Sequence, residues 1–312
     1  MSNAVVFPGQ GSQAVGMGQA LAETFPEARH VFEEVDDALG QKLSRLMWEG
    51  PLEDLTLTEN AQPALMAVSL AVMRVLEKQG NWRLADKAAF VAGHSLGEYS
   101  ALAAAGTFTI ADTARLLKLR GQAMQKAVPV GVGAMAALLG VELPDAESIA
   151  ADSAAGEICQ VANDNSSGQV VISGHKGAVD RAIALAAEKG FKRSVLLPVS
   201  APFHCALMQP AADAMAEALD KVPLIAPVVP VVANVTAAPT VDPRLIRAQL
   251  VQQVTGTVRW RECVLAMKGL GVERLIEAGA GKVLAGLVKR IDKDIAALSL
   301  QTPEDIDAFL SA

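Results

Sequence analysis

Apolar and polar residues follow two different periods along this 312-residue chain. After Pro26 the apolar positions Ala28, Val31, Phe32, Val35, Ala38 and Leu39 recur close to every 3.6 residues, which predicts an amphipathic helix. A further helix is expected from Pro63 to about Lys78. Another opens at Thr109, where Asp112 three residues on makes a capping-box-like start, and runs to about Ala127. Residues 4–7 and 88–92 are short apolar runs without that period and read as strands. The second run ends at Gly93 and leads into a helix of small residues over 96–105.

The pattern changes at Pro129-Val130-Gly131, which reads as a linker. Beyond it the expected order is strand 134–139, helix 144–154, strands 158–162 and 170–173, helix 177–189 and strand 193–199. Asn163-Asp164-Asn165 to Gly168 carries turn chemistry between the middle strands. This βαββαβ order is the ferredoxin-like signature. The chain then resumes helix 206–221, strand 228–232, helices near 243–254 and 259–268, and strand 274–276. Helix 282–290, strand 295–298 and a closing helix end it. The expectation is an α/β fold whose mainly parallel sheet is flanked by helices, with an inserted ferredoxin-like small domain. Residues 1–128 and 199–312 form the large domain and 129–198 the insertion.

Half the residues are hydrophobic but only 4% aromatic, so Ala, Val and Leu must fill the core. A net charge of −7 argues against nucleic acid as the main partner, because phosphates need a basic face. Cys159, Cys205 and Cys263 are odd in number and widely spaced, so reduced thiols are expected rather than disulfides or a zinc site. The first residues lack a signal-peptide pattern, and Arg74, Glu77 and Lys78 interrupt the longest apolar stretch. These readings predict a cytoplasmic chain that neither crosses a membrane nor carries a metal.

Gly93-His94-Ser95-Leu96-Gly97 fits G-x-S-x-G between an expected strand and an expected helix, the setting of a nucleophile elbow. Its glycines permit the sharp turn, and the helix N-terminus behind Ser95 favours developing negative charge. The alternative is an ordinary glycine-rich βα turn. Serine needs a base, and the chain has four histidines. His94 is adjacent to Ser95, so the two side chains diverge. His30 lies in an amphipathic helix, and His175 follows a strand in the insertion. His204, where the chain returns from the insertion, is the best candidate by elimination. Its neighbour Cys205 reads as packing, since nothing nearby lowers its pKa. Gly9-Gln10-Gly11-Ser12-Gln13-Ala14 loosely fits a dinucleotide fingerprint, but Glu33 and Glu34 fall within a helical pattern rather than ending a second strand. This loop is better suited to supplying a second oxyanion donor.

Arg120 is the anomaly of its helix. Its neighbours three and four residues away are Leu116, Leu117, Ala123 and Met124, all apolar, whereas Arg115 sits beside Asp112 and Lys118. Two readings follow: a snorkelling or structurally paired side chain, or a guanidinium fork for a substrate carboxylate.

Several segments occur in one order: Phe7-Pro8-Gly9-Gln10-Gly11-Ser12, Gly93 to Tyr99, Arg120-Gly121, Gly133-Ala134-Met135, Pro202-Phe203-His204 and Gly279 to Leu284. Together they resemble the malonyl-CoA:acyl carrier protein transacylases of bacterial fatty acid synthesis, over essentially the whole chain. Ala280 replaces a proline common in the last motif. The resemblance implies a Ser95–His204 dyad, an oxyanion hole from the N–H groups of Gln10 and Leu96, and Arg120 on the malonyl carboxylate. It also implies that a main-chain carbonyl, matching Gln253, orients the histidine. The implied reaction is ping-pong between malonyl-CoA and acyl carrier protein, without metal or bound cofactor. An acidic carrier needs a basic patch, for which Lys189, Lys192 and Arg193, or Lys282, Lys289 and Arg290, are candidates. A hydrolase with the same elbow, a malonate-transferring decarboxylase subunit and a non-catalytic binder remain as alternatives.

Overall fold

The computed structural model describes residues 2–199 and 201–312. Met1 and Ser200, counted above within the large domain, lie outside the described residues.

Among the described residues ten strands form two sheets: β1 (Asn3–Phe7), β2 (Phe90–Gly93), β3 (Gly133–Leu139), β4 (Cys159–Ser166), β5 (Gln169–His175), β6 (Arg193–Leu196), β7 (Val231–Val232), β8 (Pro239–Thr240), β9 (Arg274–Ala278) and β10 (Ala296–Leu300). The larger sheet runs β10-β9-β1-β2-β7-β8, parallel except for the short edge strand β8. β1 shows why its sequence is apolar without alternation. Val5 and Phe7 pack into one core cluster and Ala4 and Val6 into a second, on the other face of the sheet. Helices therefore cover both faces, as the α/β expectation required.

The smaller sheet is antiparallel, in the order β4-β5-β3-β6, with helices Leu143–Ala154 and Lys176–Glu188 packed on it. Numbered within this unit the order is 2-3-1-4, which agrees with the ferredoxin-like expectation. β4 departs from the sequence reading. Asn163, Asp164 and Asn165 continue the strand instead of turning. Asp164 N–H and Val258 N–H bond across to the carbonyls of Val258 and Ala162, and Arg261 Nε donates to Asp164 Oδ2 at 2.9 Å. The side chains of Asp164 and Asn165 are spent on the larger unit, through Arg261 and His94, and the turn falls on Ser167 and Gly168.

Two helices also differ from expectation in ways that matter for the pocket. The helix Thr58–Gly80 starts five residues before Pro63, so Gln62 is already helical and buried. The helix Ile110–Lys126 begins as expected, with Thr109 Oγ1 accepting from Asp112 N–H at 3.0 Å. These two helices pack against each other and bring Gln62 and Arg120 face to face. No helix among the described residues is long and apolar enough to cross a membrane.

Candidate active site

β1 and β2 are adjacent and in register, with Phe7 opposite Gly93. Their carboxyl ends therefore deliver the Pro8-Gly9-Gln10 loop and the Ser95 turn to one spot, where open α/β sheets carry their ligands. Ser95 sits at φ 54°, in the left-handed region, immediately before the helix Gly97–Ala104. The flanking glycines follow from space. A Cβ on Gly93 would lie 1.9 Å from the Gly97 backbone, and one on Gly97 would lie 2.3 Å from the Phe7 carbonyl oxygen. Asn234, which follows β7, clamps the turn. Its Oδ1 accepts from Ser95 N–H at 2.8 Å and its Nδ2 donates to the Gly93 carbonyl at 2.7 Å.

Ser95 Oγ lies 2.8 Å from His204 Nε2 although the two are 109 residues apart in sequence. His204 Nδ1 lies 2.8 Å from the Gln253 carbonyl oxygen. A carbonyl only accepts, so Nδ1 carries the proton and Nε2 is left to accept from the serine hydroxyl. Burial, followed by the Arg120 charge, pushes the imidazole down to about 3, so it is neutral at physiological pH. Like Ser95, His204 occupies the left-handed region, at φ 57°. The other histidines lie elsewhere. His94 Nε2 is 2.8 Å from Asn165 Oδ1 and links the elbow to β4. His175 Nδ1 accepts from Ile158 N–H, and His30 is exposed. Cys205 is buried, its thiol pushed up by desolvation and donating to the Pro202 carbonyl.

Arg120 is 1% exposed. Nη1 donates to Gln62 Oε1 at 2.8 Å, and Nη2 donates to Gln253 Oε1 at 2.9 Å and to Ser95 Oγ at 3.2 Å. Its Nε has no hydrogen-bond partner, and the hydrogen bonds of Nη1 and Nη2 all go to neutral groups. The guanidinium carbon also lies 5.7 Å from the centre of the Tyr99 ring. A buried cation with no carboxylate in direct contact, beside a hydroxyl that faces a base, is suited to receive one.

Gln10, Ser95, Leu96, Arg120 and His204 line one pocket of about 420 Å³, closed on its apolar side by residues such as Met124 and Phe203. The Gln10 side chain donates to Thr58 Oγ1, which fixes its loop against the neighbouring helix. The structure thus brings together all six residues singled out from sequence, with Gln253 behind His204 and Arg120. Sequence reasoning missed Gln62, Glu98 and Asn234. Glu98 is 2% exposed and accepts from Gln253 Nε2 at 2.8 Å and from Asn234 N–H at 3.0 Å. Its first-turn position among Ala101 and Leu102 carried the same signal that exposed Arg120: a charge on an apolar helix face.

Comparison with known proteins adds three kinds of likeness. The family described as acyl transferase domain matches residues 4–296. The malonyl CoA-acyl carrier protein transacylase of Salmonella typhimurium is 46% identical over 308 residues, covering 99% of this chain and 98% of that protein. A crystal structure of acyl-carrier-protein-S-malonyltransferase from Bartonella henselae is 59% identical, with a TM-score of 0.97, covering 100% of this chain and 99% of that one. A malonyl-transacylase in complex with its type II PKS acyl-carrier protein superposes with a TM-score of 0.96 at 42% identity, covering 100% of this chain and 99% of that one.

Proposed function

The chain belongs to the acyl transferase domain family, and from that membership and the geometry of its pocket we propose that it moves malonyl groups from coenzyme A to acyl carrier protein. Ser95 Oγ attacks the thioester carbonyl as His204 Nε2 takes its proton. The carbonyl oxygen becomes an oxyanion facing the N–H groups of Gln10 and Leu96. The C–S bond then breaks, and the coenzyme A sulfur leaves with the proton from His204. The carrier thiol attacks malonyl-Ser95 by the same path in reverse, and the Gln253 carbonyl holds the imidazole tautomer throughout. Arg120 pairs with the free malonyl carboxylate. The reaction belongs to the cytoplasm, and residues 129–198 act as an inserted unit that walls one side of the pocket.

The observation that carries this reading is the buried Arg120 guanidinium, which no carboxylate contacts directly, 3.2 Å from Ser95 Oγ. A buried cation there suits an acyl group that ends in a carboxylate, whichever acceptor takes it from Ser95. Labelled malonyl-CoA given to the purified chain with holo acyl carrier protein is expected to leave its label on the carrier. Label released as free malonate beside an unlabelled carrier would identify a hydrolase instead. The same assay tests carrier docking. Lys192 and Arg193 are exposed beside edge strand β6, while Lys189 pairs with Asp152 and Arg290 with Gln169. Reversing Lys192 and Arg193, or Lys282, Lys289 and Arg290, is expected to weaken transfer to the carrier, more so at low salt. Malonylation from coenzyme A is expected to be unaffected. Equal loss in both half-reactions would exclude these clusters as the docking patch.

A further inference from the structure

Glu98 and Arg120 form a buried charge pair that never touches. Both are almost fully enclosed, at 2% and 1% exposure. One amide lies between them: Gln253 Nε2 donates to Glu98 Oε2 at 2.8 Å while Gln253 Oε1 accepts from Arg120 Nη2 at 2.9 Å. Arg120 at the pocket wall and, when ionised, Glu98 behind Gln253 therefore make one enclosed cation and one enclosed anion. A malonyl carboxylate pairing with Arg120, as proposed above, brings a second anion against a single cation. An unbalanced charge away from water is costly, and a buried carboxylate commonly relieves it by protonation.

We propose that Glu98 takes up a proton when a malonyl carboxylate enters the pocket, so that the enclosed charges of Arg120, Glu98 and substrate remain balanced. This inference rests on the Arg120–carboxylate pairing. The incoming carboxylate contacts the guanidinium directly and stays ionised, whereas Glu98 meets it only through Gln253. Burial already pushes the Glu98 carboxyl up to about 7, against the pull of its hydrogen bonds and of Arg120. A second nearby anion raises it further.

The other titratable groups facing Glu98 keep their charge across the neutral range. Tyr99, on the same helix, is pushed up to about 12, chiefly by burial. Cys263, on the helix Trp260–Gly269, is pushed well above the ordinary thiol range. His204, beyond Gln253, lies at about 3, and His94 is also lowered by burial. Arg120, though lowered by desolvation, remains a cation.

Calorimetric titration of the Ser95→Ala protein at about pH 8 tests this, since that variant is expected to bind acyl-CoA without reacting. Two buffers of different ionisation enthalpy give the number of protons exchanged. Acetyl-CoA is the reference, because it shares every titrating group of malonyl-CoA except the carboxylate. The expected excess for malonyl-CoA is roughly 0.5–1 proton taken up, and close to none once Glu98→Gln is added. The affinity advantage of malonyl- over acetyl-CoA is expected to fall by up to ~10-fold per pH unit above about pH 7. Tighter binding of malonyl-CoA with no excess proton uptake overturns the inference, as does the same excess in Glu98→Gln. Equal affinity for the two acyl-CoAs would instead remove the Arg120 pairing on which it rests. If Glu98→Gln does not fold, absence of the excess in the Glu98-bearing protein still overturns the inference.

Discussion

Ser95→Ala is expected to abolish the covalent malonyl adduct while the protein keeps its fold. The hydroxyl bonds only to groups of the pocket, His204 Nε2 and Arg120 Nη2. The strained backbone at φ 54° is held by Asn234 and by the glycine contacts around it, none of which involves the hydroxyl. Alanine inherits the same backbone conformation, so the melting temperature is expected to change little. His204→Ala keeps the hydroxyl but loses its base, and adduct formation is expected to slow at least ~10²-fold. Rapid-quench labelling with malonyl-CoA measures both. Undiminished labelling of Ser95→Ala would overturn the assignment of the nucleophile.

Arg120→Ala is expected to collapse the preference for malonyl over acetyl groups. Without the guanidinium, the malonyl carboxylate enters an enclosed pocket unpaired. Truncating one partner of a buried charge pair costs about 2–5 kcal/mol, or ~30- to several-thousand-fold. Acetyl-CoA has no carboxylate, so its kcat/KM is expected to change little or to improve. The diagnostic quantity is the ratio of the two kcat/KM values. Arg120→Lys is expected to restore only part of it, because an ammonium cannot hold Gln62, Gln253 and a carboxylate with one planar fork. A parallel decline of both substrates with a lowered melting temperature would return Arg120 to a structural role.

Much of the site was legible because each residue type contradicted its surroundings. Ser95 stood between two glycines at a strand–helix junction, and Arg120 interrupted an apolar stripe. His204 was found by elimination, since its 2.8 Å approach to Ser95 depends on the whole insertion being crossed. What stayed hidden were polar residues whose partners come from distant elements. Asn163 to Asn165 read as a turn because Asn and Asp favour turns locally. Their actual partners, Val258, Arg261 and His94, lie far away in sequence. Asn234 gave no local signal at all, yet it clamps the Ser95 turn. Pro63 misled in the opposite direction. Proline favours the first turn of a helix, but packing against the helix Ile110–Lys126 extends this one back to Thr58. The strand expected over 228–232 shrinks to Val231–Val232, because Pro230 has no N–H for the ladder.

The central claim is that the acyl group rests on Ser95 between two separate thiol carriers. It is tested most directly by isolating the protein after a single exposure to labelled malonyl-CoA, removing all coenzyme A, and adding holo acyl carrier protein alone. The account predicts that peptide mapping finds the label on Ser95 before the chase and that the carrier removes it without further coenzyme A. Label on another residue, or a transfer that proceeds only with malonyl-CoA and carrier present together, would contradict it.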